Sequence, residues 1–134
     1  MSAQWSLVTG ASRGIGRAVV ELLLVRGRNV LACARDSEQL RELARRDRVA
    51  ILPCDLAQPG APQQLIERAS AIGPLRELVL AAGVAQHAAF ANVSERALRE
   101  QLELNFFAPF FLIQHAAARM ERGAIVAIGS TLAF

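Results

Sequence analysis

The 134-residue sequence contains no lysine and no tyrosine, only two cysteines, and no apolar run long enough to cross a membrane. Its longest apolar stretch, Phe106 to Ile113, is interrupted by Pro109, whereas a membrane-spanning helix needs about 20 residues. Cys33 and Cys54 are far apart in the sequence and lack Cys-x-x-Cys or Cys/His spacing. This pattern predicts buried, reduced thiols rather than a metal site or a disulfide.

The net charge of the chain is small, and arginine supplies all of its positive side-chain charge. Fifteen arginines against twelve acidic residues give a formal net charge of +3, which is too small to indicate a nucleic-acid partner. The densest basic stretch, Arg41 to Arg48, is predicted to end a helix, where cations complement the helix dipole. No secretory signal is visible at the polar N-terminus. We therefore expect one soluble, cytoplasmic domain over residues 1–134, without a membrane partner.

Five short apolar runs alternate with helical patterns along the chain. A helix is expected from Gly14 to Gly27, a second one capped by Asp36, a third between Pro62 and Gly73, and a long one from Ser94 to about Glu121. The predicted strands are Trp5–Thr9, Val30–Ala34, Val49–Cys54, Leu78–Ala81 and Ala124–Ile128. The alternation predicts βαβ units and a parallel α/β sheet, whose ligand binds at the carboxyl ends of the strands.

Three glycines, Gly10, Gly14 and Gly16, lie between the first strand and the first helix. Without side chains the backbone can turn sharply and approach a pyrophosphate, which the positive end of the helix attracts. Because the loop follows a strand and opens a helix, its position favours a dinucleotide site over an ordinary turn.

With Thr9 in front, the segment Thr9-Gly10-Ala11-Ser12-Arg13-Gly14-Ile15-Gly16 is similar to the Thr-Gly-x-x-x-Gly-Ile-Gly motif of the short-chain dehydrogenase/reductase family. The resemblance runs from Leu7 to Phe134. It implies a Rossmann-like doubly wound sheet of order 3-2-1-4-5, with the family's C-terminal strands and helices absent. It also implies that the turn binds the cofactor through Gly10, Ser12, Arg13, Gly14, Ile15 and Gly16.

Two further segments match the family in the expected order. Asp55 resembles the aspartate that bonds the adenine amino group, with Leu56 giving a backbone contact, although an aspartate after a strand can also simply cap a turn. Ala82-Gly83 match the end of the family's Asn-Asn-Ala-Gly motif beside the ribose. Leu80 and Ala81 replace the two asparagines, so we expect the side-chain bonds that tie strand four to its neighbours to be lost.

The end of the second strand distinguishes the two nicotinamide cofactors. NAD(H) calls for an acidic residue there and NADP(H) for arginine. By the resemblance, Ala34 occupies the acidic position and is followed by Arg35, so Arg35 and Arg13 favour NADP(H) over NAD(H). In the alternative interpretation, Asp36 binds the ribose, but helix capping explains this residue more economically. The two arginines can also be read as solvated surface residues.

Two residues carry the family's chemistry in this chain. Pro109 lacks the amide hydrogen that would bond the carbonyl of Asn105, which predicts a kink with a free carbonyl. The resemblance implies that this carbonyl binds a water of the proton relay, and that Ser130 polarises the substrate carbonyl. The family's acid, a tyrosine followed four residues later by a lysine, is absent, which implies that the chain stops before the next helix and is inactive alone.

The resemblance therefore implies an NADP(H)-dependent oxidoreductase that interconverts a carbonyl and an alcohol by hydride transfer, without a metal. The absence of the tyrosine and lysine favours an alternative, a non-catalytic nucleotide-binding or scaffolding module. The substrate is not specified, because in the family its pocket is formed largely after the fifth strand.

Two further groups of side chains have no assigned chemistry. His87 and His115 are predicted to be structural or solvated, with His87 nearer the substrate cleft. The spacing of Phe106, Phe107, Phe110 and Phe111 is typical of a core. The resemblance implies that some of these rings form an interface in a homodimer or homotetramer.

Overall fold

The structure of the protein is a computed structural model, which describes residues 3–130. Five strands form one sheet: β1 Trp5–Thr9, β2 Asn29–Ala34, β3 Val49–Pro53, β4 Leu75–Leu80 and β5 Ala124–Ala127. The α-helices are α1 Gly14–Val25, α2 Glu38–Leu43, α3 Ala61–Ile72, α4 Glu95–Leu102 and α5 Ala108–Ala117. A 3₁₀ turn at Phe90–Asn92 precedes α4, and a π-helical segment at Glu103–Phe107 joins α4 to α5.

All four strand pairings are parallel, and the strand order is β3-β2-β1-β4-β5. Strand β1 is central, with Leu7 opposite Leu31 of β2 and Leu78 of β4. Buried side chains of α1 and α2 pack on one face of the sheet, and those of α3 and α5 pack on the other. The predicted Rossmann-like, doubly wound α/β fold is confirmed, and the strand order reverses between β1 and β4.

The cap of α2 differs from the prediction. Ser37, not Asp36, is the N-cap: its backbone is extended, and its Oγ accepts a hydrogen bond from the amide of Leu40 at 3.2 Å. Asp36 lies one residue earlier, and its carboxylate instead pairs with Arg41 at 3.3 Å. Both residue types are good caps, so the sequence alone could not distinguish two adjacent candidates.

Strand β4 begins at Leu75, three residues before its predicted start, and ends at Leu80. The added residues include the polar pair Arg76 and Glu77. The Glu77 carboxylate accepts a hydrogen bond from Ser6 and pairs with Arg28 at 3.2 Å. Because these partners compensate its charge, the strand can extend through polar residues at its amino end. Strands β3 and β5 each end one residue earlier than predicted.

The predicted long helix is not a single α-helix. Ser94 caps it as expected, accepting from the amide of Ala97 at 3.1 Å, but a π-helical segment interrupts it and it ends at Ala117. In that segment the amide of Ala108 bonds the carbonyl of Glu103, five residues earlier. No helix within residues 3–130 combines the length and apolar character needed to span a bilayer.

The prediction that the four phenylalanines form core is wrong. Their exposed fractions are 59% for Phe106, 43% for Phe107, 54% for Phe110 and 41% for Phe111. Helix α5 turns a different face to the sheet, formed by Ala108, Leu112 and Ala116 at a spacing of four. Because the small alanines permit close packing, the larger rings are displaced to the outer side, where each adjacent pair makes an edge-to-face contact.

Replacing Ser37 with alanine should lower the free energy of unfolding by about 1 kcal/mol, because the α2 amide of Leu40 loses its side-chain acceptor. The matched variant Asp36→Ala should lower it by less than about 0.5 kcal/mol, since it removes only an exposed ion pair. Urea denaturation of both variants measures the difference. Equal losses, or a larger loss for Asp36→Ala, would show that the cap is assigned to the wrong residue.

Candidate functional site

A cleft of about 1300 Å³ lies at the carboxyl edge of the sheet. Typical small-molecule pockets have volumes of roughly 300–1,000 Å³. The larger volume of this cleft leaves room for an extended ligand. The ends of β1 to β4 and the side of α4 contribute its walls. All the residues predicted to bind the cofactor line it: Gly10, Ser12, Arg13, Gly14, Ile15, Gly16, Arg35, Asp55, Leu56, Ala82 and Gly83.

Backbone contacts leave no room for a side chain at two of the three glycines in the turn. A Cβ on Gly10, whose φ is +65°, would lie 2.7 Å from the amide nitrogen of Ala82. A Cβ on Gly16 would lie 2.0 Å from the carbonyl oxygen of Gly10. Gly14 is different: its φ is +58°, and a Cβ there would meet no atom within 4 Å. The turn is therefore packed against the protein at two glycines and open at the third.

The N-terminus of α1 is left without polar side-chain partners. Arg13 is its N-cap residue and makes no side-chain capping bond, and the first turn carries no acidic residue. In contrast, α2 and α4 are each capped by serine and carry a glutamate in the first turn. The positive end of α1 is thus available to an anion in the cleft.

Three charged side chains cluster where β2 ends. Arg13 and Arg35 are exposed, and within residues 3–130 neither side chain makes a hydrogen bond or salt bridge. Asp36 also lines the cleft, but its carboxylate is directed to Arg41. The side chains of this pair are 62% and 61% exposed, so it contributes at most about 1 kcal/mol.

Asp55 caps a turn and also lines the cleft. Its Oδ1 accepts from the amide of Ala57 at 3.0 Å and its Oδ2 from the side-chain amide of Gln58 at 3.2 Å, so it caps the turn after β3. The same residue lines the cleft. Leu56 beside it is buried, which fixes the backbone of this turn against the core.

The expected loss of ties at the end of β4 is compensated by other side chains. The hydroxyl of Thr9 accepts from the amide of Ala82 at 3.3 Å, joining β4 to β1. Asn105 holds the following loop at both polar groups of Val84: its Oδ1 accepts from the amide at 2.8 Å, and its Nδ2 donates to the carbonyl at 2.6 Å. This side-chain role was not predicted, because the family resemblance concerns only the main-chain carbonyl of Asn105.

The two residues predicted to support chemistry do not line the described cleft. Asn105 lies in the π-helical segment behind the Val84 loop, and Ser130 lies three residues beyond β5. His87 is exposed on the loop after β4, and His115 is half-buried on α5. The structure thus brings together the residues predicted to bind the cofactor and leaves these four outside the cleft.

Cys33 and Cys54 are close in space despite their separation in sequence. Cys33 faces Leu52 across the β2–β3 pairing, and the amide of Cys54 bonds the carbonyl of Ala34 at 2.9 Å. Both cysteines are free, as predicted, but only Cys33 is fully buried, whereas Cys54 is half-buried and lines the cleft. The strand order of the sheet, which the spacing of cysteines does not reveal, brings them together.

Helix α4 contributes a wall that the sequence did not suggest. Arg99 and Glu100 of α4 line the cleft, together with Glu103 of the π-helical segment and Gln86 of the loop before α4. The side chain of Gln101 accepts from the amide of Gln86 at 3.2 Å. The signal was an amphipathic helix, the next α-helix after β4, but its polar face resembles any solvated helix surface.

A doubly wound parallel sheet with a glycine turn at the point where the strand order reverses is the arrangement typical of nucleotide-binding α/β proteins. The family model for short chain dehydrogenases matches residues 4–134. The chain belongs to the short-chain dehydrogenase/reductase family, which confirms the resemblance drawn from the sequence.

Similar proteins include D-erythrulose reductase of Gallus gallus, which is 35% identical over 130 residues, or 93% of this chain and 52% of the relative. Among solved structures, an Agrobacterium tumefaciens 3-oxoacyl-(acyl-carrier-protein) reductase with NADP bound has a TM-score of 0.86 and 33% identity, covering 96% of this chain and 53% of that one. A blue fluorescent protein from a metagenomic library, in complex with NADPH, has a TM-score of 0.87 and 32% identity, covering 97% and 57%. The chain spans about half the length of the curated relatives it matches.

Replacing Asn105 with alanine should free the Val84 loop. The amide of Val84 should exchange with solvent about five-fold faster, because a hydrogen bond worth about 1 kcal/mol is lost. Asn105→Asp keeps an acceptor for this amide while removing the donor to the carbonyl, so it should retain most of the protection. Hydrogen exchange measured by NMR tests both variants, and unchanged protection in Asn105→Ala would contradict the tie.

Proposed function

We propose that residues 1–134 form the dinucleotide-binding domain of an oxidoreductase that interconverts a carbonyl and an alcohol by hydride transfer with NADP(H). The observation that carries the proposal is the glycine turn, where an open Gly14 meets an uncapped helix end in a large cleft. A diphosphate needs close backbone approach and a positive helix end, and both are present.

The residues of the cleft fit such a cofactor along its length. Gly10, Gly14 and Gly16 would hold the diphosphate through the amides of the turn and of α1. Asp55 and Leu56 would contact the adenine, and Ala82 and Gly83 would lie beside the ribose next to the nicotinamide. The bound cofactor supplies the hydride, so the protein itself needs to bind, orient and exclude water.

Two arginines support NADP(H) over NAD(H). Arg13 and Arg35 border the cleft without partners among the described residues, so their guanidinium groups can bind a 2′-phosphate with charge-assisted hydrogen bonds. Asp36, the competing ribose ligand, is engaged by Arg41. The two related structures described above contain NADP or NADPH, which accords with this choice.

Replacing Arg35 with alanine should weaken NADP(H) binding about 10- to 100-fold, because at least one hydrogen bond to a charged phosphate is lost. NAD(H) affinity should change less than about two-fold, since no phosphate occupies that position. Cofactor fluorescence titrations measure both affinities.

Arg45→Ala is the matched control for this variant. It removes the same charge from an exposed position after α2, outside the residues that line the cleft. It should leave both affinities unchanged within about two-fold, as long-range charge effects are screened at physiological salt. Equal weakening of both cofactors by Arg35→Ala would overturn the NADP(H) preference.

Ser130 and Asn105 have supporting roles in the proposed reaction. Ser130 would polarise the substrate oxygen, and the carbonyl of Asn105, which cannot receive an amide hydrogen from Pro109, would hold a water. A proton donor of the tyrosine and lysine type is not among these 134 residues. The proposed reaction therefore depends on such a pair outside this sequence.

A non-catalytic nucleotide-binding module is the second candidate, and the missing tyrosine and lysine favour it. The two candidates differ in turnover. NADPH binding without oxidation of the cofactor by a panel of ketones, in a protein that carries the pair, would favour the module.

We also propose that the protein is a cytoplasmic homo-oligomer whose interface includes Phe106 to Phe111. Four large exposed rings on one helical stretch form an apolar surface of the kind that marks a protein interface. The partner we propose is a second copy of the chain, since an isologous contact pairs this surface with itself.

Replacing Phe110 with glutamate should raise the dissociation constant of the oligomer by about 100-fold, because an unpaired buried carboxylate costs several kcal/mol. Phe90→Glu is the control, since Phe90 is 98% exposed and lies before α4. Analytical ultracentrifugation measures both. An oligomer unaffected by Phe110→Glu, or dissociated equally by Phe90→Glu, would refute this interface.

A further inference from the structure

The two cysteines form a thiol pair at the edge of the cleft. In the β2–β3 register, Leu52 is opposite Cys33, and Cys54 lies two residues after Leu52. Successive side chains of a strand alternate between faces, so Leu52 and Cys54 share the face of Cys33. All three belong to the apolar cluster on that side of the sheet.

The two thiols differ in access to solvent. Cys33 is fully buried, whereas Cys54 is half-buried and borders the cleft next to Asp55. Only Cys54 is therefore in a position to meet a reagent that enters the cleft. The pair is also linked to the glycine turn, because the carbonyl of Cys33 accepts from the amide of Ala11 at 3.0 Å.

Charged and polar groups around Cys54 favour its thiolate. The Cys33 thiol donates a hydrogen bond to Cys54, and with the nearby Arg68 guanidinium this lowers the pKa of Cys54 to about 7, although burial and Asp55 act in the opposite direction. Arg68 is fixed in place from α3 by its bond to the carbonyl of Pro53 at 3.0 Å. The hydrogen bond to Cys54 and burial raise the pKa of Cys33, which stays a neutral donor.

We propose that Cys54 is a modification site, a reactive thiol that attacks hydroperoxides and soft electrophiles entering the cleft and that a bound dinucleotide shields. The shielding rests on the proposed function, because it requires the adenine to lie against Asp55. The reactivity rests only on the thiol pair, Arg68 and the access that the cleft gives.

A hydroperoxide is the only oxidant that this oxidation needs. The Cys54 thiolate attacks the terminal oxygen, so an S–O bond forms as the O–O bond breaks. The sulfur is oxidised to a sulfenic acid, the peroxide is reduced to an alcohol, and one proton from solvent goes to the leaving oxygen. The added oxygen then occupies the wall of the cleft beside Asp55.

The test is the pH dependence of alkylation by iodoacetamide, read by peptide mass spectrometry. In the folded protein, Cys54 should react with a midpoint near pH 7, and Cys33 should stay unlabelled. In urea both thiols should titrate near pH 8.5, the ordinary value. At pH 7 the folded Cys54 should react about three-fold faster than in urea, since roughly 15-fold more thiolate is partly offset by its lower nucleophilicity.

Two substitutions of Cys33 distinguish the effect of its hydrogen bond on Cys54 from the effect of its side-chain volume. Cys33→Ala removes the donor and should move the Cys54 midpoint upward, whereas Cys33→Ser keeps a donor and should preserve most of the shift. Cys54→Ser should abolish labelling, and also trapping of a sulfenic acid by dimedone after peroxide treatment. Far-UV circular dichroism verifies that each variant is folded.

A midpoint for folded Cys54 near that in urea, or preferential labelling of Cys33, would overturn the proposal. Saturating NADPH should slow Cys54 labelling at least ten-fold. If NADPH binds by fluorescence without slowing the reaction, the shielding is wrong. If NADPH does not bind at all, the proposed function fails, while the reactivity of Cys54 is decided by the pH profile alone.

Discussion

The close contact of three backbone segments at the glycine turn is the constraint on which the rest of the cleft depends. Gly10 lies against the backbone at the end of β4, and Gly16 at the start of α1 lies against the carbonyl of Gly10. The amide of Ala11 bonds the carbonyl of Cys33 at the end of β2. Because one turn touches β1, β2, β4 and α1, it sets the relative positions of the strand ends that line the cleft.

At the start of α1, the same turn lacks two stabilising features that are present in α2 and α4. A serine cap and an acidic residue, as in α2 and α4, would satisfy its first amides and complement its dipole. Those groups would also occupy the place of an anionic ligand and repel it. The open Gly14 and the uncapped amides therefore make sense as a ligand site, and departures from good local chemistry are expected at such sites.

The sequence predicted the fold well because the fold depends on patterns that are local. Short apolar runs, the glycine turn and the capping residue Ser94 each act within a few residues, and the strand order then follows from the family. Predictions failed where two local choices are nearly equal in energy, as for Asp36 and Ser37. They also failed where distant partners decide, as for Glu77, whose charge is compensated by residues from β1 and from the loop before β2.

The strand-end side of the cleft was predictable and its far wall was not. The glycine, Asp55 and Ala82 positions belong to contiguous motifs, so the family resemblance was enough to predict that they lie together, and they line one cleft. The proximity of Cys33 and Cys54 and the tie between Asn105 and Val84 arise only when the sheet assembles. A single sequence carries no direct record of such pairs, since their members are separated by about twenty residues and share no motif.

The π-helical segment explains how one helical stretch serves two surfaces. An extra residue in a helical turn changes the phase of all side chains that follow it. Before the segment, α4 buries no residue, and its polar side borders the cleft. After it, α5 packs Ala108, Leu112 and Ala116 on the sheet. Pro109 makes the change of phase inexpensive, because it has no amide to lose. Asn105 lies at the change of phase, so its side chain can hold the Val84 loop while α5 remains anchored in the core.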